Sequence, residues 1–96
     1  MPTYALTAQF TRDWAALSAR DRARFRTAVA KFVADLKAEH GFRPGLRVKG
    51  IQGAPGVFEM TWAPDGRATF EYGSSLGEGP HIVWRRIGRH DVFTRP

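Results

Sequence analysis

The second half of the chain alternates apolar and polar residues over several short segments, and this alternation constrains the fold more than any other feature. Residues 46–49, 57–62 and 67–72 each place apolar side chains at even positions and mostly polar ones at odd positions. A period of two is typical of strands with one buried face. Ala63-Pro64-Asp65-Gly66 is a tight-turn sequence and predicts a hairpin between two of these strands. We therefore predict a sheet whose even-numbered face is buried and whose other face is open.

The first half of the chain predicts one strand and two helices. Alternation from Thr3 to Phe10 indicates the opening strand, and a short helix follows around Trp14. Ser18, with Asp21 three residues later, resembles a capping box and predicts the start of a longer helix. Apolar residues recur along this helix as a single stripe formed by Phe25, Val29, Phe32, Val33 and Leu36. The stripe predicts that one helix face packs on the sheet.

These elements follow the order β-α-α-β-β-β-β and predict a two-layer α+β fold. The N-terminal strand and two helices would pack on one face of a mostly antiparallel sheet of four to five strands. Residues 82–87 are apolar at both odd and even positions, which is expected of a strand inside the sheet. The chain has 96 residues, enough for one domain and too few for two. We therefore predict that residues 1–96 form a single domain.

Composition restricts the classes of function. The 15 Lys and Arg residues against 9 Asp and Glu residues give a net charge of +6, which fits either a phosphate-rich or acidic partner or a solvated basic surface. No cysteine is present, so thiolate metal sites and cysteine nucleophiles are excluded, and we predict neither a metal nor a cofactor. The sequence shows no signal peptide and no apolar run that could span a membrane. We predict a soluble cytoplasmic protein without a membrane partner.

Side chains suited to phosphodiester chemistry converge on the open face of the predicted sheet. Arg47, Lys49, Glu59 and Arg67 come from different strands and share this face, and His90 follows the last strand. A carboxylate and an imidazole can act as general base and general acid, and guanidinium groups can hold a phosphate as charge develops. Mixed charges are also ordinary on an exposed sheet face. The pattern is therefore compatible with RNA cleavage, with RNA binding alone, or with a solvated surface.

Several short segments, in their order and spacing, resemble the RelE/ParE superfamily of toxins from bacterial type II toxin–antitoxin systems over nearly the whole chain. They are the opening strand ending at Phe10 before Asp13-Trp14, and residues 46–49, 56–60, 67–70 and 87–93. The resemblance implies a RelE-like, microbial-ribonuclease-like fold without a cofactor and an antitoxin partner that covers the basic face. The RelE branch implies a metal-free mRNA endonuclease that typically acts on the ribosome, inhibits translation and uses 2′-hydroxyl attack. The ParE branch implies instead a non-enzymatic inhibitor of DNA gyrase.

The resemblance also implies catalytic roles, and the three residues concerned favour the RelE branch. Arg67 is similar to the family's arginine that contacts the scissile phosphate. Glu59 falls where some members have a catalytic Lys and others a Glu general base. His90 falls near the C-terminal Arg or His that is the candidate general acid. Which of Glu59 and His90 is the base and which the acid stays open.

Further residues are implied to contact RNA, namely Arg47, Lys49, Arg86, Arg89 and Phe93. Either Arg85 or Arg86 could extend the basic strand. Arg86 is favoured because positions 86 and 90 are both even, so Arg86 and His90 would lie on the same side of the last strand if that strand is unbroken. Phe93 lies close to where many members have a functional Tyr. The substitution leaves base stacking possible and removes a phenolic proton donor.

Overall fold

The computed structural model describes residues 2–74, 80–89, 92 and 95–96. Its elements, in chain order, are β1 (Thr3–Leu6), α1 (Ala8–Ala15), α2 (Ala19–Ala38), a 3₁₀ helix (Pro44–Leu46), β2 (Lys49–Gly50), β3 (Val57–Ala63), β4 (Gly66–Gly73) and β5 (His81–Gly88). No helix in the described part of the chain is both long enough and apolar enough to cross a bilayer.

The five strands form one sheet in the order β1-β5-β4-β3-β2. β1 runs parallel to β5, and the other neighbours are antiparallel. This arrangement confirms the predicted α+β fold, including the position of the last strand inside the sheet. The predicted hairpin is also present, because Ala63 pairs with Gly66 across the turn at Pro64 and Asp65.

The core lies between the helices and the even-numbered face of β3 and β4. The apolar stripe of α2 packs there, with the Phe32 ring centroid 5.0 Å from that of Phe70 and the Phe25 ring centroid 5.4 Å from that of Trp84. Ser18 caps this helix as predicted, since its Oγ accepts a hydrogen bond from the Asp21 N–H at 3.1 Å. The helix layer therefore leaves the odd-numbered sheet face on the other side of the molecule.

The opening strand is shorter than the alternation predicts. β1 ends at Leu6, and Phe10 lies in α1 rather than at the end of the strand. Thr7 causes the change, because its Oγ1 accepts the Phe10 N–H at 3.0 Å and caps the helix. The same hydroxyl donates to the Arg85 carbonyl at 2.8 Å. Phe10 still reaches the core, but from a helix.

The segment 46–49 is not a continuous strand. Leu46 ends the 3₁₀ helix, and Arg47 follows with a left-handed backbone at φ 47°. Only Lys49 and Gly50 pair with β3. The prediction that Arg47 shares a strand with Lys49 is therefore wrong, because the chain turns between them.

β5 contains a β-bulge. Thr69 of β4 pairs with Arg86, but the next residue, Phe70, pairs with Trp84. Arg85 is the extra residue on β5, and such a residue shifts the alternation of side chains beyond it. The assumption of an unbroken last strand, on which the preference for Arg86 over Arg85 depended, is therefore wrong.

Candidate functional site

A row of polar side chains crosses the sheet on the face opposite the helices. Lys49 pairs with Glu59, Glu59 pairs with Thr69, and Thr69 pairs with Arg86. Lys49 Nζ lies 3.8 Å from Glu59 Oε1, with the lysine side chain 70% exposed and the glutamate side chain 11% exposed. The structure thus brings Lys49 and Glu59 together. The carboxylate is nearly buried and lies beside an exposed cation at the sheet edge.

Arg67 lies next to this row, opposite Thr61 of β3, and is buried. Its Nη1 donates to three carbonyl oxygens of its own hairpin, those of Ala63 at 3.3 Å, Pro64 at 3.3 Å and Gly66 at 2.9 Å. The guanidinium is therefore fixed against the turn. Arg67 lies on the odd-numbered face of the sheet, as predicted, and its Nη1 already donates to main-chain carbonyls.

Arg85 and Thr69 together bind a main-chain oxygen on this face. Thr69, which is fully buried, donates from Oγ1 to the Pro96 oxygen at 3.0 Å, and Arg85 Nε donates to the same oxygen at 3.0 Å. Arg85 Nη1 also lies 3.0 Å from Glu71 Oε1. Sequence reasoning did not single out Thr69. It preferred Arg86 to Arg85, because a bulge has no signature in the alternation.

Arg86 binds a helix. Its Nε donates to Asp13 Oδ2 at 2.7 Å, and its Nη2 donates to Asp13 Oδ1 at 3.2 Å. Burial alone would raise the pKa of Asp13, but hydrogen bonds from Arg86, from Gln9 and from the Ile87 N–H outweigh it and lower that pKa below its ordinary value. Arg86 is therefore held at the junction of α1 and β5.

The other sequence-predicted site residues are dispersed. Arg47 is exposed after the 3₁₀ helix. Arg89 Nη2 lies 3.2 Å from Asp21 Oδ2, and Arg89 Nε lies 3.9 Å from Asp65 Oδ2. The predictions for His90 and Phe93 concern residues outside the described part of the chain.

The odd-numbered face is less open than the sequence predicts. Glu59, Thr69 and Arg67 are all buried, and so is Val92, which follows β5. Part of the cover comes from Pro96, whose main-chain oxygen lies on Thr69. The alternation of apolar and polar residues predicts on which face of the sheet a side chain lies. It does not predict whether a later segment of the chain covers that face. Within the described ranges, no group of three or more potential ligands could hold a metal ion.

An apolar groove of about 340 Å³ lies on the opposite side of the molecule, between β1 and the helices. Its walls include Tyr4, Leu6, Trp14, Val29, Val33 and Leu36. Tyr4 and Leu6 are 70% and 48% exposed, although both are large and apolar. β1 is an edge strand, so its main chain also has an unpaired side. Sequence reasoning missed this groove because it placed β1 residues on a buried face.

Comparison with solved structures identifies the fold. A chain of the E. coli DinJ-YafQ toxin-antitoxin complex matches with a TM-score of 0.65 at 15% identity, over 95% of this chain and 94% of that one. The YoeB/ParE toxin from Agrobacterium tumefaciens matches with a TM-score of 0.65 at 15% identity, over 92% and 98%. A chain of the RelB-RelE antitoxin-toxin complex from Methanococcus jannaschii matches with a TM-score of 0.62 at 13% identity, over 93% of both chains. The chain has the RelE/ParE toxin fold.

No protein-family model matches this sequence, and no curated protein sequence matches it either. Sequence identities of 13–15% establish the RelE/ParE toxin fold and leave the activity to be argued from the site. Within that fold, the buried carboxylate and its cationic neighbours lie on the sheet face, and the apolar groove lies on the helix side.

Proposed function

We propose that this protein is the toxin of a type II toxin–antitoxin system and cleaves mRNA on the ribosome as a metal-free endoribonuclease. The observation that carries the proposal is the position of Glu59, nearly buried on a sheet face with Lys49 on one side and Thr69 on the other. A carboxylate beside cationic groups is an arrangement that general acid–base cleavage of a phosphodiester can use.

The proposed reaction is a transesterification at phosphorus. Glu59 takes the proton of a 2′-hydroxyl, the oxygen attacks the adjacent phosphorus, and the new O2′–P bond replaces the P–O5′ bond. A general acid, for which His90 is the candidate by resemblance, gives a proton to the departing 5′ oxygen. The products are a 2′,3′-cyclic phosphate and a 5′-hydroxyl end. Positive groups near the phosphate stabilise the charge that develops on its oxygens.

Arg67 and Arg85 are the proposed phosphate contacts. Arg67 is held by its hairpin next to the Glu59 row, so little side-chain freedom remains to be lost on binding. Arg85 already binds an oxygen together with the Thr69 hydroxyl, and phosphate oxygens offer the same kind of acceptor. Arg86 takes the structural role instead, because Asp13 occupies it.

The proposed antitoxin partner uses the apolar groove as well as the sheet face. Exposed Tyr4 and Leu6 beside the apolar face of α2 fit an amphipathic helix or an added strand, which would remove these side chains from water. Apolar surface exposed in this way is typical of an interaction site. Two similar structures, RelB-RelE and DinJ-YafQ, are toxin–antitoxin complexes.

Purified protein added to programmed ribosomes tests the proposal. We expect mRNA cuts with 2′,3′-cyclic phosphate and 5′-hydroxyl ends, and a loss of at least about a hundredfold in rate for Glu59→Gln, the range of a general base. Glu39→Gln, the same carboxylate-to-amide change at an exposed helix end, is the matched control and should cleave normally. Inhibition of gyrase supercoiling with no RNA cleavage would select the ParE-like alternative.

A further inference from the structure

Main-chain oxygens of Arg95 and Pro96, here called the 95–96 segment, accept hydrogen bonds from β4 and β5. The Pro96 oxygen accepts one from Thr69 Oγ1 and one from Arg85 Nε, both at 3.0 Å. The Arg95 oxygen accepts one from Arg86 Nη1 at 3.1 Å. Because both acceptors belong to the main chain, these contacts do not depend on the side chains of the segment.

The Pro96 oxygen lies close to the proposed general base. It is bound to Thr69, and Thr69 pairs directly with Glu59 of the neighbouring strand. Side chains of directly paired residues in antiparallel strands are neighbours, with Cβ atoms about 4.5–5.5 Å apart. Thr69 is fully buried with this oxygen on its hydroxyl. The 95–96 segment therefore occupies the place on the sheet face where a phosphate next to Glu59 would lie.

The two donors that hold the Pro96 oxygen also suit a phosphate. A guanidinium N–H and a hydroxyl can both donate to a phosphate oxygen, and the negative charge of a phosphate strengthens the hydrogen bond from Arg85. The segment itself has little surface to lose on release, because Arg95 is exposed and Pro96 is only partly buried. A phosphodiester can therefore take over both hydrogen bonds when the segment moves away.

We propose that the 95–96 segment is autoinhibitory: it fills the phosphate position on Thr69 and Arg85, and RNA must displace it before cleavage. Displacement exchanges one oxygen acceptor for another and changes no covalent bond. Competition with RNA rests on the proposed ribonuclease function, whereas competition with a phosphate ion follows from the contacts alone. The apparent affinity for phosphate is then lowered in proportion to the fraction of molecules whose site the segment leaves free.

Nuclear magnetic resonance of the full chain tests the displacement. The Arg85 Nε–H signal is assigned by its loss in Arg85→Gln. With ¹³C at proline carbonyls only, the Pro96 signal is assigned by its loss in Pro96→Ala, which keeps the main-chain oxygen. Titration with inorganic phosphate should shift both signals saturably with one shared Kd, and should move the Pro96 signal toward its value in urea.

Sodium chloride at equal ionic strength is the control for this titration and should shift neither signal. A Pro96 signal that stays in place, the absence of saturation, or an equal response to chloride would overturn the proposal. The titration uses the full chain, so it decides the matter even if a shortened chain folds poorly.

Deletion of residues 95–96 measures the strength of the inhibition. The deletion should lower the Kd for inorganic phosphate about tenfold, as expected if the segment covers the site in about nine of ten molecules. Arg95→Gln is the matched control, because it removes the same charge and keeps the main-chain contacts; it should bind phosphate no more tightly than the parent. An unchanged or higher Kd after the deletion would overturn the proposal.

A double-variant cycle locates the effect. In an Arg85→Gln background, the deletion should change the Kd for phosphate by less than about twofold, because the segment and the phosphate no longer share that donor. A full tenfold gain in this background would overturn the assignment of the shared site.

Cleavage on programmed ribosomes links the segment to activity. At protein concentrations below saturation, the deletion should raise the rate of mRNA cleavage severalfold, and Arg95→Gln should not. Tighter phosphate binding without faster cleavage would overturn the autoinhibitory role. Absence of cleavage in every variant would instead contradict the ribonuclease proposal, and the phosphate titration would then decide the competition by itself.

Discussion

Asp13 and Arg86 lie 73 positions apart in sequence and form a bidentate ion pair, with nitrogen–oxygen distances of 2.7 and 3.2 Å. The Asp13 carboxylate also accepts the Ile87 N–H at 3.2 Å. The pair joins α1 to β5 beside the bulge. Two adjacent arginines of one strand therefore bind different elements, since Arg86 contacts Asp13 of α1 and Arg85 contacts Glu71 of β4.

Asp13→Asn should destabilise the fold in a pH-dependent way. At neutral pH we expect a loss of about 2 kcal/mol in the free energy of unfolding, the scale of hydrogen bonds to a charged group. The pKa of Asp13 is lowered from 3.8 in the folded state, so its contribution is complete above pH 3.8 and is lost as the pH falls through the lower folded value. Urea unfolding should show the difference between Asp13→Asn and the parent shrinking below pH 3.8. A difference that stays constant or grows there would contradict the assignment, and Glu39→Gln should match the parent at each pH.

Arg85→Gln and Arg86→Gln should separate activity from stability. Arg85→Gln should lower the rate of RNA cleavage at least about tenfold with little change in the unfolding midpoint, because it removes a phosphate contact. Arg86→Gln should lower the midpoint, because it leaves Asp13 without its partner. Cleavage rates and urea midpoints of both variants check this prediction. The reverse pattern would restore Arg86 as the RNA contact.

Gly66→Ala should be strongly destabilising because of Trp62. A Cβ at position 66 would lie 2.5 Å from Trp62 Cε2, in the ring that covers the hairpin. Overpacking of this kind costs about 1–3 kcal/mol. Gly50→Ala is the matched control, since a Cβ there meets nothing within 4 Å. Thermal unfolding of the two variants checks the prediction, and equal melting temperatures would contradict it.

Leu6→Glu should weaken antitoxin binding and spare RNA cleavage. The substitution places a carboxylate in the apolar groove, and a charge buried there on complex formation lacks a partner. We expect at least a tenfold rise in Kd for the proposed antitoxin, on the order of 1.4 kcal/mol. Ala34→Glu, an exposed change on α2 outside the groove lining, should bind normally. Equal affinities of the two variants would place the antitoxin elsewhere.

The sequence predicts the fold well because its strongest signals are local and repeated. Alternation in β3 and β4, the stripe on α2 and the Ser18 cap all depend on neighbouring residues. Alternation fails at Phe10, where a threonine cap overrides it, and at Arg47, where a left-handed residue interrupts it. These exceptions depend on single side-chain or backbone conformations that the apolar pattern does not encode.

The candidate site is only partly predictable from sequence. Parity correctly places Glu59 and Arg67 on one face, because β3 and β4 pair in regular register from Val57 to Thr61, and the irregularity lies beyond them, between Thr61 and Ala63. Parity does not predict the positions of the arginines of β5, because the bulge shifts the register at Arg85. The contact of Arg86 with Asp13 spans most of the chain, so no local pattern could report it.

The most direct test of the proposed chemistry is cleavage of an mRNA that carries a single 2′-deoxynucleotide. The substitution is made on the 5′ side of the bond that the protein cuts on programmed ribosomes, and a matched mRNA carries it one nucleotide away. If a 2′-hydroxyl activated by Glu59 is the nucleophile, the first mRNA should resist cleavage at that bond and the second should be cut normally. Cleavage of both mRNAs at equal rates would contradict this account.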